Sequence, residues 1–242
     1  MTELQMDHKT IKIYQAEGRN LPVIYSNDYG ESGTEVLKCC RELACPPFHL
    51  VTVSGLDWEE NMSPWPAEPV VTKKDHFSGG GPAYLEWLLS EAVPAAEQVL
   101  RDGETAGDAG EDSTGNDIGA ESYIAGYSMA GLFALWSLYE TDFFKGAVSA
   151  SGSLWYPGFC DYAVSHSFKG TPRHVYLSLG DRESLSRNPV LKTAETSCRR
   201  LEAFYRNQGT DVIFELNQGS HYKDAELRMS MGIRWLLQQT VI

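Results

Sequence analysis

The residues best suited to covalent chemistry lie in one short run, Gly126-Tyr127-Ser128-Met129-Ala130-Gly131. A buried-strand pattern, Ser122-Tyr-Ile-Ala125, precedes it, and a helical pattern from Leu132 to Tyr139 follows. A serine on so sharp a strand-to-helix turn is held strained with its Oγ exposed. Small residues two places before and after it let strand and helix approach. Gly126 meets the first requirement. The second position holds Ala130 where the usual pattern has glycine, with Gly131 just after it. A bare Gly-rich turn with an incidental serine is the bland alternative. The strand before and the helix after favour a nucleophile.

A serine hydroxyl attacks poorly at neutral pH unless a base takes its proton and an acid orients that base. On this kind of scaffold the chain order is serine, acid, histidine. His221 lies in the turn after Asp211-Val-Ile-Phe-Glu-Leu216, just before the last helix, and no histidine follows His174 except it. His174 stands at a strand start, the wrong end, and His8, His49, His76 and His166 lie outside the expected loop. The acid should follow the strand Val175-Tyr-Leu-Ser-Leu179, where the loop reads Gly180-Asp181-Arg182-Glu183. A position three residues past the strand-ending glycine selects Glu183, with Asp181 close enough to be the partner instead. The unused carboxylate would be solvated or paired with Arg182. A developing oxyanion needs preorganised N–H donors. One is expected from Met129, the other from the loop after Pro22-Val-Ile-Tyr-Ser26, where Asn27, Asp28 and Tyr29 lie. Only backbone groups are required, so the side chains do not choose among them.

These residues need elements that present strand ends to one face. Strand patterns occur at residues 10–14, 22–26, 49–54, 122–125, 146–150, 175–179 and 211–216. Between them, Leu85, Leu89, Ala92, Ala96 and Val99 mark one helix face, which Pro94 should kink or end. Ala194, Cys198, Leu201 and Tyr205 mark another, and Leu227, Met231 and Trp235 the last. A Pro- and Trp-rich loop is expected over residues 57–82. Strands alternating with helices imply a mostly parallel sheet with helices on both faces.

The combination resembles the esterase family of α/β hydrolases that includes enterochelin (trilactone siderophore) esterases, feruloyl and acetyl-xylan esterases and S-formylglutathione hydrolases. Pro22-Val-Ile-Tyr, Asp57-Trp58, Ser63-Pro-Trp65-Pro66, Tyr84-Leu-Glu, the serine run, Ser149-Ala-Ser-Gly-Ser-Leu-Trp-Tyr156, Ser178-Leu-Gly-Asp-Arg-Glu183 and Gly219-Ser-His221 carry the resemblance. It implies an α/β-hydrolase fold without a large cap domain, Ser128 as nucleophile and His221 as base. It also implies hydrolysis of a carboxylic ester, such as a siderophore lactone, feruloyl or acetyl-sugar ester, without cofactor or metal. An acyltransferase or a non-catalytic binding protein on the same fold are the alternatives. Ser153, Leu154 and Trp155 are expected at the carboxyl end of a central strand, where such sheets bind ligands. Trp58 and Trp65 are expected either to wall the site or to staple the long loop to the core.

Charge and cysteine usage bound the partners. The chain has 242 residues, with 33 acidic against 20 basic side chains, a net charge of −13. Nucleic acid and anionic membranes attract clustered bases, so neither is an expected partner. Seven of the acids and no base fall within residues 102–121, which read as a Gly-rich, flexible insert in one esterase domain. The N-terminus shows no basic region followed by an apolar run, and no apolar stretch is long enough to span a bilayer. Five cysteines without framework spacing, Cys39, Cys40, Cys45, Cys160 and Cys198, are expected as free thiols in a reducing cytoplasm.

Overall fold

The computed structural model describes residues 1–106, 121–171 and 174–239. All seven strand patterns form strands: β2 (Lys9–Tyr14), β3 (Val23–Asn27), β4 (His49–Ser54), β7 (Ser122–Tyr127), β8 (Phe144–Ala150), β9 (His174–Gly180) and β10 (Asp211–Asn217). Two further pieces, β5 (Pro66–Ala67) and β6 (Phe77–Ser78), make a small ribbon within the long loop. An additional strand, β1 (Thr2–Met6), pairs antiparallel with β2. The turn between them is Asp7-His8, with φ of 48° and 65°. Two residues at positive φ are what a tight hairpin following the natural strand twist requires.

The main sheet runs β1-β2-β4-β3-β7-β8-β9-β10. From β4 to β10 every neighbouring pair is parallel. Helices cover both faces, so β3, β4, β8 and β9 are buried along nearly their whole length. That explains why they read as continuous apolar runs rather than as alternating ones.

On one face lie α1 (Gly33–Glu42) and α8 (Ala225–Gln239), packing Val36, Ile233 and Leu236 against Ile24, Tyr123 and Tyr176. On the other lie α3 (Gly81–Trp87), α4 (Val93–Ala106), α5 (Met129–Glu140), α6 (Phe159–Ser165) and α7 (Ala194–Asn207). Every residue of α5 from Met129 to Tyr139 is buried. A helix apolar all round belongs inside a protein, and each fully buried leucine contributes about 1.5–3 kcal/mol. This central helix carries Ser128 at its start, so the site rests on the most deeply buried element.

Three of the helices depart from the sequence reading in where they lie or which face they bury. Helix α1 was not expected. Its sequence mixes Lys38, Arg41 and Glu42 with cysteines and shows too short an apolar stripe to stand out. The long helix bearing Pro94 is broken by a π-helical turn, Leu88–Ala92. Proline lacks an N–H and its ring presses on the carbonyl four residues back, here Ser90; widening the preceding turn relieves both. The extra residue moves the buried stripe to Leu85, Leu88, Ala92, Ala96 and Leu100, leaving Leu89 and Val99 half-buried. In α8 the buried face is Arg228, Met229, Gly232, Ile233 and Leu236, while Leu227 is exposed and Met231 and Trp235 sit at the margin. Gly232 lets α8 touch the sheet, since a Cβ there would meet Val148 Cγ1 at 2.4 Å and Tyr176 Cδ1 at 2.6 Å.

Residues 107–120, most of the acidic stretch, lie outside the described residues. Its flank Glu121 accepts a backbone bond from Val23 at 3.1 Å, at the amino end of β7 and remote from Ser128.

Candidate active site

Ser128 joins β7 to α5 with φ 59° and ψ −123°, a backbone conformation that non-glycine residues rarely adopt. Both of its backbone groups are tied down: its N–H donates to the Ala150 carbonyl (3.1 Å), and its carbonyl accepts from Ser153 (3.0 Å). Gly126 is required for the turn to close, because a Cβ there would lie 2.1 Å from the Ala130 carbonyl oxygen. The methyl of Ala130 instead enters the core, where the residue is fully buried. The close approach that a glycine might have served falls to Gly131, whose Cβ position lies 2.9 Å from Gly152 Cα. The departure from the usual pattern is thereby accommodated.

The loops after β9 and β10 bring two side chains to this serine. His221 Nε2 lies 3.0 Å from Ser128 Oγ, and His221 Nδ1 lies 2.7 Å from Glu183 Oε2. Glu183 is nearly buried, its side chain 9% exposed. Its other oxygen accepts from the Gly180 N–H (2.7 Å), Ser151 Oγ (2.9 Å) and Arg228 Nη1 (3.2 Å). Burial pushes the Glu183 carboxyl up, but the His221, Gly180 and Ser151 bonds outweigh it and the net shift is downward. Asp181 is exposed and turned elsewhere, accepting from the Gly219 N–H at 2.8 Å and so shaping the turn that carries His221. Of the two carboxylates in this loop, geometry gives the histidine to Glu183.

A cavity of about 560 Å³ opens in front of Ser128 and His221, between the β3–α1 loop, the short helix α2 (Trp58–Asn61) and the start of α8. Tyr29, Trp58, Tyr222, Glu226 and Met229 are among its walls. The N–H of Tyr29, on its wall, and that of Met129, which follows Ser128 at the start of α5, have no partner among the described residues. Asp28, also expected as a donor, cannot serve, because its N–H donates to the Val53 carbonyl at 2.8 Å as the sheet ends. Its carboxylate instead accepts from Gly30, Ser32 and Gly33, which fixes the loop and the start of α1.

No family model matches the sequence. The uncharacterised protein YbbA of Bacillus subtilis is 20% identical over 236 residues, which cover 92% of this chain and 88% of that protein. Among solved structures, an IroE-like serine hydrolase from Shewanella oneidensis superposes with a TM-score of 0.75 at 16% identity, over 100% of this chain and 80% of that one. The siderophore hydrolase EstB from Aspergillus nidulans superposes with a TM-score of 0.72 at 16% identity, over 100% of this chain and 94% of that one. The chain has the α/β-hydrolase fold. These structural neighbours match the esterase family that the sequence motifs resemble. Among the described residues no large cap covers the strand ends of this hydrolase fold.

The residues expected to bind substrate divide sharply. Trp58 lines the cavity and meets Tyr29 edge-to-face at 5.3 Å. Trp65 does not line it. Its Nε1–H donates to the Pro157 carbonyl (2.9 Å), and its ring packs against Tyr156, Phe159 and Tyr162, so it staples the long loop to α6. Ser153 and Leu154 are 1% exposed and face inward; they buttress the serine turn rather than wall a ligand site. Trp155 is half-buried against the core and is likewise absent from the cavity walls.

Two residues behind the histidine escaped the sequence reading. Arg228 is 2% exposed, yet its guanidinium bonds Glu183, Ser151 Oγ (2.9 Å), Tyr127 Oη (3.3 Å) and the carbonyls of Gln218 and Ser220. The planar fork of arginine can hold that many acceptors at once, which lysine cannot. Tyr127 Oη donates to the His221 carbonyl at 2.7 Å. No local signal selects Arg228: it stands in the first turn of α8, after the non-helical turn that carries His221, and only its distant acceptors show why an arginine is buried there.

Proposed function

We propose that this chain is a serine esterase. The observation that carries the reading is the unbroken hydrogen-bonded line from Ser128 through His221 to Glu183, at 3.0 and 2.7 Å, opening on a cavity of about 560 Å³. Ser128 Oγ attacks the ester carbonyl carbon as His221 Nε2 takes its proton. Glu183 holds Nδ1–H, fixing the tautomer and stabilising the imidazolium that forms. The Met129 and Tyr29 N–H groups donate to the oxyanion. The imidazolium then protonates the departing alcohol. Water, deprotonated by His221, attacks the acyl-serine and releases the acid.

No step calls for a metal or cofactor. The substrate is a small-molecule ester; the neighbours named as siderophore and serine hydrolases favour a bulky lactone or polyester, and the uncapped strand ends leave room for one. The five thiols are all unpaired, which fits a cytoplasmic protein.

Turnover of short p-nitrophenyl esters tests the reading. In Ser128→Ala, kcat should fall by about 10⁴-fold or more, and labelling by a fluorophosphonate probe should vanish. Unchanged hydrolysis in that variant would remove the nucleophile. Labelling without turnover of any ester would favour a binding protein.

A further inference from the structure

The cavity in front of Ser128 is charged in one sense only. Glu226 and Asp28 stand among its walls, and no lysine or arginine does. Asp28 is surrounded by donors from its own loop. Glu226 is half-buried in the first turn of α8 and forms no ion pair among the described residues. The positive end of a helix dipole explains why a carboxylate is tolerated there, but a partial charge does not cancel a full one. The two bases nearest in sequence are engaged elsewhere: the Arg228 guanidinium is bonded to Glu183, Ser151, Tyr127 and two backbone carbonyls, and the Lys223 stem lies over Gly219 with its ammonium 3.9 Å from Asp224.

The remaining walls are aromatic. Tyr29 is 81% exposed and Tyr222 is 90% exposed, with Trp58 between core and solvent. Tyr29 and Trp58 form an edge-to-face corner at 5.3 Å, and Tyr222 meets the His221 ring at 5.3 Å. Aromatic faces beside an unpaired carboxylate attract a cation and repel an anion, and the attraction strengthens as the site loses water.

We infer that this cavity is a subsite for an ammonium group carried by the ester substrate. The inference rests on the esterase reading but adds a substrate class to it: esters bearing a quaternary or protonated amine, in preference to neutral esters and strongly over those bearing a carboxylate. The groups offered to the cation are the Trp58 and Tyr29 rings and the Glu226 carboxylate, all on the walls of the cavity that Ser128 also lines.

Two measurements test it. The first compares kcat/KM for a choline ester, its uncharged tert-butyl isostere and the corresponding carboxylate ester, all with the same acyl group. The choline ester should lead the neutral one by about tenfold, the carboxylate should trail, and rising salt should narrow the spread. In Glu226→Gln and in Trp58→Leu the ratio of choline to neutral ester should fall several-fold. The second is calorimetric titration of the wild-type protein with choline and with its tert-butyl isostere, which involves no catalysis. Equal rates and equal affinities for the charged and neutral pair would overturn the subsite while leaving ester hydrolysis by Ser128 standing. Turnover that survives Ser128→Ala would instead sink the esterase reading, and preferential choline binding would still be visible by calorimetry.

Discussion

His221 separates two unlike regions. Behind it, Glu183, Arg228, Ser151 and Tyr127 form a buried polar network in which each charged group has several partners. In front, Tyr29, Trp58, Tyr222 and Glu226 stand at an open rim, and two of the rings are more than four-fifths exposed. On the proposed esterase reading, the difference follows from what each would have to do. A tautomer and a ring angle have to be fixed before substrate arrives, so the rear wall is over-determined. A low dielectric makes such a network strong when complete and costly when broken. A rim that admits and releases a ligand needs only complementary surface, and exposed side chains supply that with little effect on stability.

The contrast can be broken or sharpened by substitution. The largest effect is expected at the rear wall. Glu183→Gln should lower kcat by about 10³- to 10⁴-fold through loss of the correct tautomer, whereas Asp181→Asn should cost less than about tenfold, because Asp181 touches only the turn. Steady-state kinetics of the pair decides between the two carboxylates, and equal losses would dissolve the distinction drawn here.

Next comes Arg228→Met. It leaves the nearly buried Glu183 without its cation and should cost about 3 kcal/mol in urea unfolding. Adding Glu183→Leu to that variant should recover part of the loss, since an apolar pair is tolerated where a lone charge is not. Simple additivity of the two changes would show that the buried pair is not coupled.

A smaller effect concerns pH. The Glu183 carboxyl is held below its ordinary value in the folded protein. Its ionised form therefore contributes stability above the unfolded-state pKa, and that contribution is lost as pH falls through the lower folded value. Urea midpoints measured between about pH 5 and 3 should drop more steeply in the wild type than in Glu183→Gln. Parallel curves would mean the network does not hold the charge.

Smallest is the front rim. Tyr222→Ala should alter unfolding free energy by no more than about 0.5 kcal/mol, as expected for so exposed a side chain. Tyr29→Ala, at a ring 81% exposed, should likewise leave stability nearly unchanged and raise KM for a cationic ester about threefold. A stability loss as large as that of Arg228→Met would abolish the contrast between rim and rear wall.

The serine turn and the histidine were legible because both depend on local sequence. Gly126 and Ser128 are recognised by the strand before them and the helix after, and His221 by its place after the last strand. Short, buried parallel strands announce themselves as apolar runs, so the sheet was legible as well. Helix α8 was read correctly as a helix but on the wrong face, because its buried stripe includes an arginine, a serine and a glycine that no hydropathy pattern selects. The tryptophans were ambiguous for a similar reason, since Trp58 and Trp65 lie in one loop and only distant partners separate cavity wall from staple.

The sequence by itself thus determined seven of the eight strands of the main sheet, the strained turn at Ser128 and the histidine that could reach it. Those features follow from backbone sterics, apolar periodicity and chain order, all of which act over a few residues. Tertiary structure turned a preference for Glu183 over Asp181 into a contact with His221, and it alone decided that the Asp28 N–H is consumed by the sheet and that Arg228 lies beneath the site. Each of these is a choice among polar groups that local sequence does not close. It is settled by which partner, tens of residues away, stands within about 3 Å to satisfy the group once water has been removed.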